Sequence, residues 1–502
     1  MRSKVFRLLK LALIIIGIFL ITLITIRAFD SQRGAPLKLW HTYVPKEIHK
    51  KDLEHMDWQQ YIHAENKVFN AVEQEVTRKL PRKDRIASNR YYSKSPMYPP
   101  HLSTNWNHSY ILEPQGTPLG AVVLLHGLTD SPYSLRHIAR RYREYGYLAV
   151  AIRLPAHGTV PAALTDVTWE DWMAATRLAV REAINRVGPG KPLHLVGFSN
   201  GGALALKYAL DAIEQDKLTR PDKIILISPM IGITRFARFA GLAGLPALLP
   251  AFAKAAWLSV LPEFNPFKYN SFPINAAIQS HRLTISLQQQ IVKLAQEKRL
   301  NNLAPVLTFQ SVVDFTVSTR AIISAFYAQL PANGSELVLF DINRASHLAL
   351  LLRPSAKSAV TRYLNKPPRL FRTTILTNAT NQSEEVIEQL TEANSIKEKI
   401  YPTGLYYPRG IFSLSHVAIP FPMSDGLYGL NPDPQENYGI QLGNTATRGE
   451  RNVLIMSLDG ILRLSSNPFF AYMIKRIGNN IAPEQIRAVA KADNLTSKHT
   501  NS

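Results

Sequence analysis

Leu193-His194-Leu195-Val196-Gly197-Phe198-Ser199-Asn200-Gly201-Gly202 is the stretch on which the fold turns. A short apolar run, read as a strand, ends in Gly-x-Ser-x-Gly and passes into an Ala- and Leu-rich run read as a helix. A serine at such a bend is lifted clear of a sheet, and small neighbours leave room for close backbone approach. Its hydroxyl then stands at a helix N-terminus, whose positive end favours developing negative charge. The five-residue pattern alone recurs by chance. Flanked by strand and helix it reads as a nucleophile elbow, with Ser199 as the nucleophile.

A second element upstream argues against a mere strand-to-helix turn. Val122-Val123-Leu124-Leu125-His126-Gly127-Leu128 is a strand ending in His-Gly. The loop after that strand supplies one oxyanion-hole amide, assigned to Leu128, and Asn200 supplies the other. His126 reads as a loop-orienting residue rather than a proton carrier. Working outward, short β-rich apolar runs recur at 121–125, 147–153, 193–198, 223–227, 305–310 and 336–342, with helical stretches at 134–144, 171–187, 202–214 and 319–329. Continuous apolar strands alternating with helices imply an α/β fold with a mostly parallel sheet covered on both faces. Right-handed crossovers make it doubly wound, with sites at the carboxyl ends of the strands.

A serine nucleophile needs a base, and the base needs an orienting carboxylate; the chain order for this geometry is Ser, then acid, then His. Asp314 ends the run Pro305-Val306-Leu307-Thr308-Phe309-Gln310-Ser311-Val312-Val313 and is assigned as the acid, a helix-capping Asp being the alternative. Two histidines compete for the base. His347 follows the strand-like 336–342 and is placed first. His416 follows another strand-like run, 410–415, and is the alternative base, because a triad is defined by geometry rather than by position.

His126-Gly127, Arg153-Leu154-Pro155-Ala156-His157-Gly158, Trp169-Glu170-Asp171-Trp172 and Gly197-Phe198-Ser199-Asn200-Gly201 occur in that order. The series resembles the monoacylglycerol lipase, lysophospholipase and carboxylesterase branch of the α/β-hydrolase family, over residues 111–364. Asp314 with Val317 matches that family's Asp-x-x-Val, and Pro-Ala-His-Gly stands where the family commonly has Pro-Gly-His-Gly. The resemblance implies hydrolysis of carboxylic esters of acyl chains (lipid, lysophospholipid or monoacylglycerol-like) through an acyl-enzyme at Ser199. Acyl transfer or thioester cleavage on the same residues is one alternative. A non-catalytic membrane-anchored scaffold is another, since fold alone does not prove function.

The chain has 502 residues, 46% of them apolar, enough for one large catalytic domain with attachments. It has no cysteine, which excludes disulfides, thiolate metal sites and cysteine nucleophiles. Neither zinc-ligand spacing nor a phosphate-binding loop is present, so no cofactor and no metal is expected. The formal net charge of +21 suits an anionic partner, read as the membrane lipid surface and not nucleic acid. At the N-terminus, Arg2, Lys4, Arg7 and Lys10 precede an uncharged run at 11–26. This is read as a retained transmembrane helix (a signal anchor over residues 1–29, not a cleaved signal) with the N-terminus cytoplasmic. The catalytic domain would lie on the opposite side, periplasmic in a Gram-negative bacterium. Residues 30–110 read as an N-terminal extension that spaces or braces the domain, and 111–364 as the hydrolase domain with an apolar helical cap at 233–300, broken into short helices by prolines. Residues 365–492 read as a C-terminal extension packed on or completing that domain, with a strand-like 374–376 and a helix-like 384–399, and 493–502 as a polar tail.

Overall fold

The computed structural model describes residues 2–32, 35–232, 250–443 and 463–481. Its centre is a ten-stranded sheet in the order β1-β3-β2-β4-β5-β8-β9-β10-β11-β12. These strands are β1 (Tyr110–Leu112), β2 (Gly120–Leu125), β3 (Tyr147–Ile152), β4 (Leu193–Phe198), β5 (Lys223–Ile227), β8 (Val306–Ser311), β9 (Glu336–Phe340), β10 (Arg372–Asn378), β11 (Glu385–Thr391) and β12 (Glu398–Tyr406). A separate hairpin pairs β6 (Trp257–Ser259) with β7 (Phe272–Pro273). From β3 to β10 neighbouring strands run parallel, and β1, β11 and β12 are antiparallel additions at the edges.

β2, β3, β4 and β8 are buried along their whole length, as strands between two covering layers must be. Alternation still sorts their side chains. Ala121, Val123 and Leu125 join a core built with the helices Trp169–Val187, Asn200–Glu214 and Ile274–Gln296. Val122 and Leu124 face the other way, into a core built with Arg136–Glu144 and Phe470–Ile481. In chain order the longer helices are α1 (Arg2–Gln32), α2 (Trp58–Val72), α3 (Arg136–Glu144), α4 (Trp169–Val187), α5 (Asn200–Glu214), α6 (Ile274–Gln296) and α7 (Phe470–Ile481). The second face is therefore closed by Met473 and Ile477 of α7, far along the chain from the strands they cover.

Several expectations are corrected. Among the described residues no helix is long and apolar enough to cross a membrane. That overturns the N-terminal transmembrane helix and the single-pass placement built on it. The uncharged run at 11–26 lies inside α1 but spans only ~24 Å at ~1.5 Å per residue, short of a ~30 Å hydrocarbon core, and Lys10 and Arg27 close it off. The helix expected at 384–399 is instead the β11–β12 hairpin. Val386, Glu388 and Leu390 alternate inward along β11, and pairing with β10 outweighs local helical composition. The apolar part of the expected cap at 233–249 lies outside the described residues. The rest includes α6, 23 residues long, whose Leu283, Leu287, Ile291 and Leu294 pack into the first core.

Two buried arginines tie the flanking segments to the sheet. Arg153, just after β3, is fully buried and pairs with Glu47 at 3.0 Å and Glu65 at 3.3 Å. Glu65, on α2, also accepts from the amide and hydroxyl of Ser109. Arg136, on α3, is buried against Asp425 at 2.8 Å and also pairs with Glu436. Tyr133 and His137 donate to the same Asp425 carboxylate. Burial alone would push the Asp425 carboxyl up, but Arg136 and the His137 hydrogen bond outweigh it and hold it well below the usual range. With its folded value below the unfolded ~3.9, this carboxylate stabilises the fold at neutral pH, and the contribution is lost as pH falls below about 4.

Asp425→Ala leaves Arg136 charged and buried without its main partner, which costs about 3–5 kcal/mol. Urea unfolding at pH 7 should register that loss. Arg186→Ala, which breaks the exposed pair with Glu113, should cost under ~1 kcal/mol. Equal effects from the two variants would refute the clamp.

Candidate active site

Ser199 sits between β4 and α5 at φ 54° and ψ −115°, a left-handed conformation that costs a non-glycine residue about 1–3 kcal/mol. Packing on both sides holds it there. Its amide donates to the Ile227 carbonyl at 3.0 Å, and its carbonyl accepts from Met230 at 3.0 Å. The glycines are steric requirements: a Cβ on Gly201 would lie 1.9 Å from the Leu125 oxygen, and one on Gly197 would lie 2.3 Å from the Gly201 oxygen. The residue is 8% exposed at the carboxyl edge of the sheet.

The loop after β2 comes alongside. A Cβ on Gly127 would lie 3.4 Å from the Ser199 Cβ, and Asp130 N donates to the Gly127 oxygen at 3.3 Å, closing a turn with Leu128 inside it. Asn200 is the first residue of α5. Among the described residues, neither the Leu128 nor the Asn200 amide is engaged in a hydrogen bond that crosses between elements. His126 is buried, donates from Nδ1 to the Gly127 carbonyl at 2.9 Å and accepts at Nε2 from the Leu154 amide at 3.0 Å. Burial pushes its imidazole well below its ordinary value. His126 is thus a neutral strut fixing the loop. Asp171 likewise caps α4, taking the Thr168 amide at 2.8 Å and the Lys50 amide at 2.7 Å.

Asp314 follows β8, and its Oδ1 accepts the amides of Thr316 at 2.7 Å and Val317 at 3.0 Å. Its Oδ2 lies 2.9 Å from Nδ1 of His416. Burial would raise this carboxyl, but His416 and the two amides outweigh it and hold it below its usual value. The His416 ring lies 5.3 Å from the Phe198 ring, beside the elbow. The pairing with Asp314 therefore falls to His416 and not to His347, the first choice on sequence. His347 is exposed after β9, and its amide donates to the Arg409 carbonyl. The reason lies in the sheet, which continues past β9 through β10, β11 and β12 before the chain returns. The returning segment is pinned over the strand ends: Ser311 Oγ donates to the Leu414 carbonyl at 2.8 Å, and Asn343 Nδ2 to the Ile411 carbonyl at 2.8 Å. The strand-like run expected at 410–415 is an irregular loop, and His416 starts a 3-10 turn, His416–Ala418.

A cavity of about 340 Å³ opens beside these residues. Phe198 and Val417, the chain neighbours of Ser199 and His416, line it, as do Asp130, Lys268 and Arg463. Sequence reading passed over all three charged residues: Lys268 and Arg463 sit in loops with no motif around them, and Asp130 stands just beyond the His126-Gly127-Leu128 stretch. Among the described residues, no cluster of His, Asp and Glu is placed to hold a metal ion.

Residues 122–360 match the alpha/beta hydrolase family. A thermostable monoacylglycerol lipase from Bacillus sp. (strain H-257) is 27% identical over 203 residues, covering 40% of this chain and 72% of the relative. The structure of a soluble variant of monoglyceride lipase from Saccharomyces cerevisiae is 16% identical, with a TM-score of 0.35, over 46% of this chain and 81% of that one. Monoacylglycerol lipase from Paleococcus ferrophilus is 17% identical, with a TM-score of 0.34, over 51% of this chain and 99% of that one.

Labelling of Ser199 by a fluorophosphonate separates the two histidines. His416→Ala should slow it by ~10²-fold or more, the scale of a lost general base, and His347→Ala by less than ~2-fold. The reverse order would return the base to His347.

Proposed function

We propose that this chain, a member of the alpha/beta hydrolase family, cleaves carboxylic esters of acyl chains through an acyl-enzyme on Ser199, with His416 as base and Asp314 as its orienting carboxylate. The 2.9 Å contact between Asp314 and His416, on a histidine packed against Phe198, is the observation that carries this reading. Asp314 accepts from Nδ1, which fixes the tautomer and leaves Nε2 free to take a proton.

In the first half-reaction, Ser199 Oγ bonds to the ester carbonyl carbon and its proton passes to His416 Nε2. The carbonyl oxygen becomes an anion facing the amides of Leu128 and Asn200 at the α5 N-terminus. As the tetrahedral centre collapses, the C–O bond to the alcohol breaks and His416 returns the proton to that oxygen. In the second half, water gives a proton to His416 and bonds to the acyl carbon; Ser199 leaves with the proton and the free acid departs. The similarity to a monoacylglycerol lipase supports an acylglycerol-like ester as the substrate.

Turnover of p-nitrophenyl butyrate and of a 1-monoacylglycerol tests the reading. Wild type should hydrolyse at least one of them, and Ser199→Ala should lose ~10³-fold or more in kcat while still folding. Undiminished turnover by Ser199→Ala would mean that another nucleophile acts.

A further inference from the structure

We infer that the cavity beside Ser199 selects esters bearing a second, anionic group, a carboxylate or a phosphate, held by Lys268 with Arg463 in support. This rests on the ester-hydrolase reading above and specifies its substrate class. The cavity is placed for the role, since Phe198 and Val417 form its wall and flank the nucleophile and the base in the chain. Lys268 is joined to the oxyanion side, because the next residue, Tyr269, donates its amide to the Thr129 carbonyl at 2.8 Å.

Among the described residues, the charges that line this cavity do not cancel. Lys268 is half-buried, and among the described residues its ammonium has neither a hydrogen bond nor an ion pair. Arg463 is exposed, and among the described residues its side chain donates to the Thr316 hydroxyl at 3.2 Å. Among the described residues, the one carboxylate in the lining is Asp130, outside ion-pair distance of Lys268, with Oδ1 taken by the Ser131 amide. Burial pushes the Asp130 carboxyl up to about 6, against the pull of Lys268, so it is ionised at pH 7.5. Two cations then face one anion. Burial also lowers the Lys268 ammonium, Asp130 opposing and Arg463 adding to the shift. A half-buried ammonium without a partner is left with part of its charge uncompensated, and a ligand anion would meet it with a charge-assisted hydrogen bond. A neutral ester offers no such partner.

The full-length protein is assayed at pH 7.5 with p-nitrophenyl butyrate against mono-p-nitrophenyl glutarate, and with 1-decanoylglycerol against its 3-phosphate. One charged hydrogen bond of about 1.5–3 kcal/mol predicts that kcat/KM favours at least one anionic member by ~10-fold or more, mainly through KM. The better of the two anionic probes identifies the group. Lys268→Met should reduce that anionic-to-neutral ratio by ~10-fold and Lys268→Arg should largely preserve it, with melting curves confirming that both fold. Neutral members preferred in both pairs, or a ratio unmoved by Lys268→Met, would overturn the inference while leaving the esterase standing. Failure of wild type to hydrolyse any of the four probes would remove the esterase reading and this inference together.

Discussion

The hydrogen bond between Asp314 and His416 joins two parts of the chain 102 residues apart. Asp314 belongs to the strand-and-helix domain, at the end of β8. His416 arrives only after the sheet has been extended by β10, β11 and β12 and the chain has turned back across the strand ends. Such a contact is useful only if both ends are held still. On one side, two backbone amides lock Asp314 Oδ1. On the other, Ser311 and Asn343 grip the backbone at Leu414 and Ile411, and Phe198 packs against the imidazole. The hairpin and the return loop are therefore part of the candidate site's framework.

The same dependence explains where the protein places buried charge. A buried ion pair is weak evidence for stability, because desolvation offsets most of its Coulomb gain. Its geometry, however, is demanding. Arg136 must meet Asp425 and Glu436 together, and these lie on the segment that carries His416. Arg153 must meet Glu47 and Glu65 together, and these lie on the N-terminal extension. Each cluster fixes one flanking segment in a single register against the strand ends. A purely apolar contact there would tolerate sliding; these clusters do not.

The central sheet and the elbow were legible because local signals agreed with the fold. The apolar runs at 121–125, 193–198 and 305–310 are buried on both faces, so their composition alone reports their place. At Ser199 the flanking glycines mark a backbone that admits no Cβ. Signals failed where pairing decided the outcome. β11 and β12 carry Glu, Lys and Gln, with one side of β11 and nearly all of β12 open to solvent, and it is pairing, of β11 with β10 and of β12 with β11, that makes them strands. His347 occupies the expected loop in the sequence, yet nothing local reports that the sheet will continue beyond it. Ala156 sits at φ 70°, a region that favours glycine, so nothing in the residue type marks that conformation.

The position of His416 also limits what similarity can carry over. The family match ends at residue 360, whereas His416 is the partner of Asp314, and Val417, Phe421, Tyr428 and Arg463 line a wall of the adjoining cavity. The matched residues include the nucleophile strand β4 and the acid strand β8 but not these four residues of the wall. In the proposed mechanism, proton transfer rests on His416 beyond the match, and substrate selection on Lys268 within it together with Arg463 beyond it. Substrate preference is then to be sought in the charges around this wall, where Lys268 and Asp130 of the matched residues face an arginine that the match does not reach.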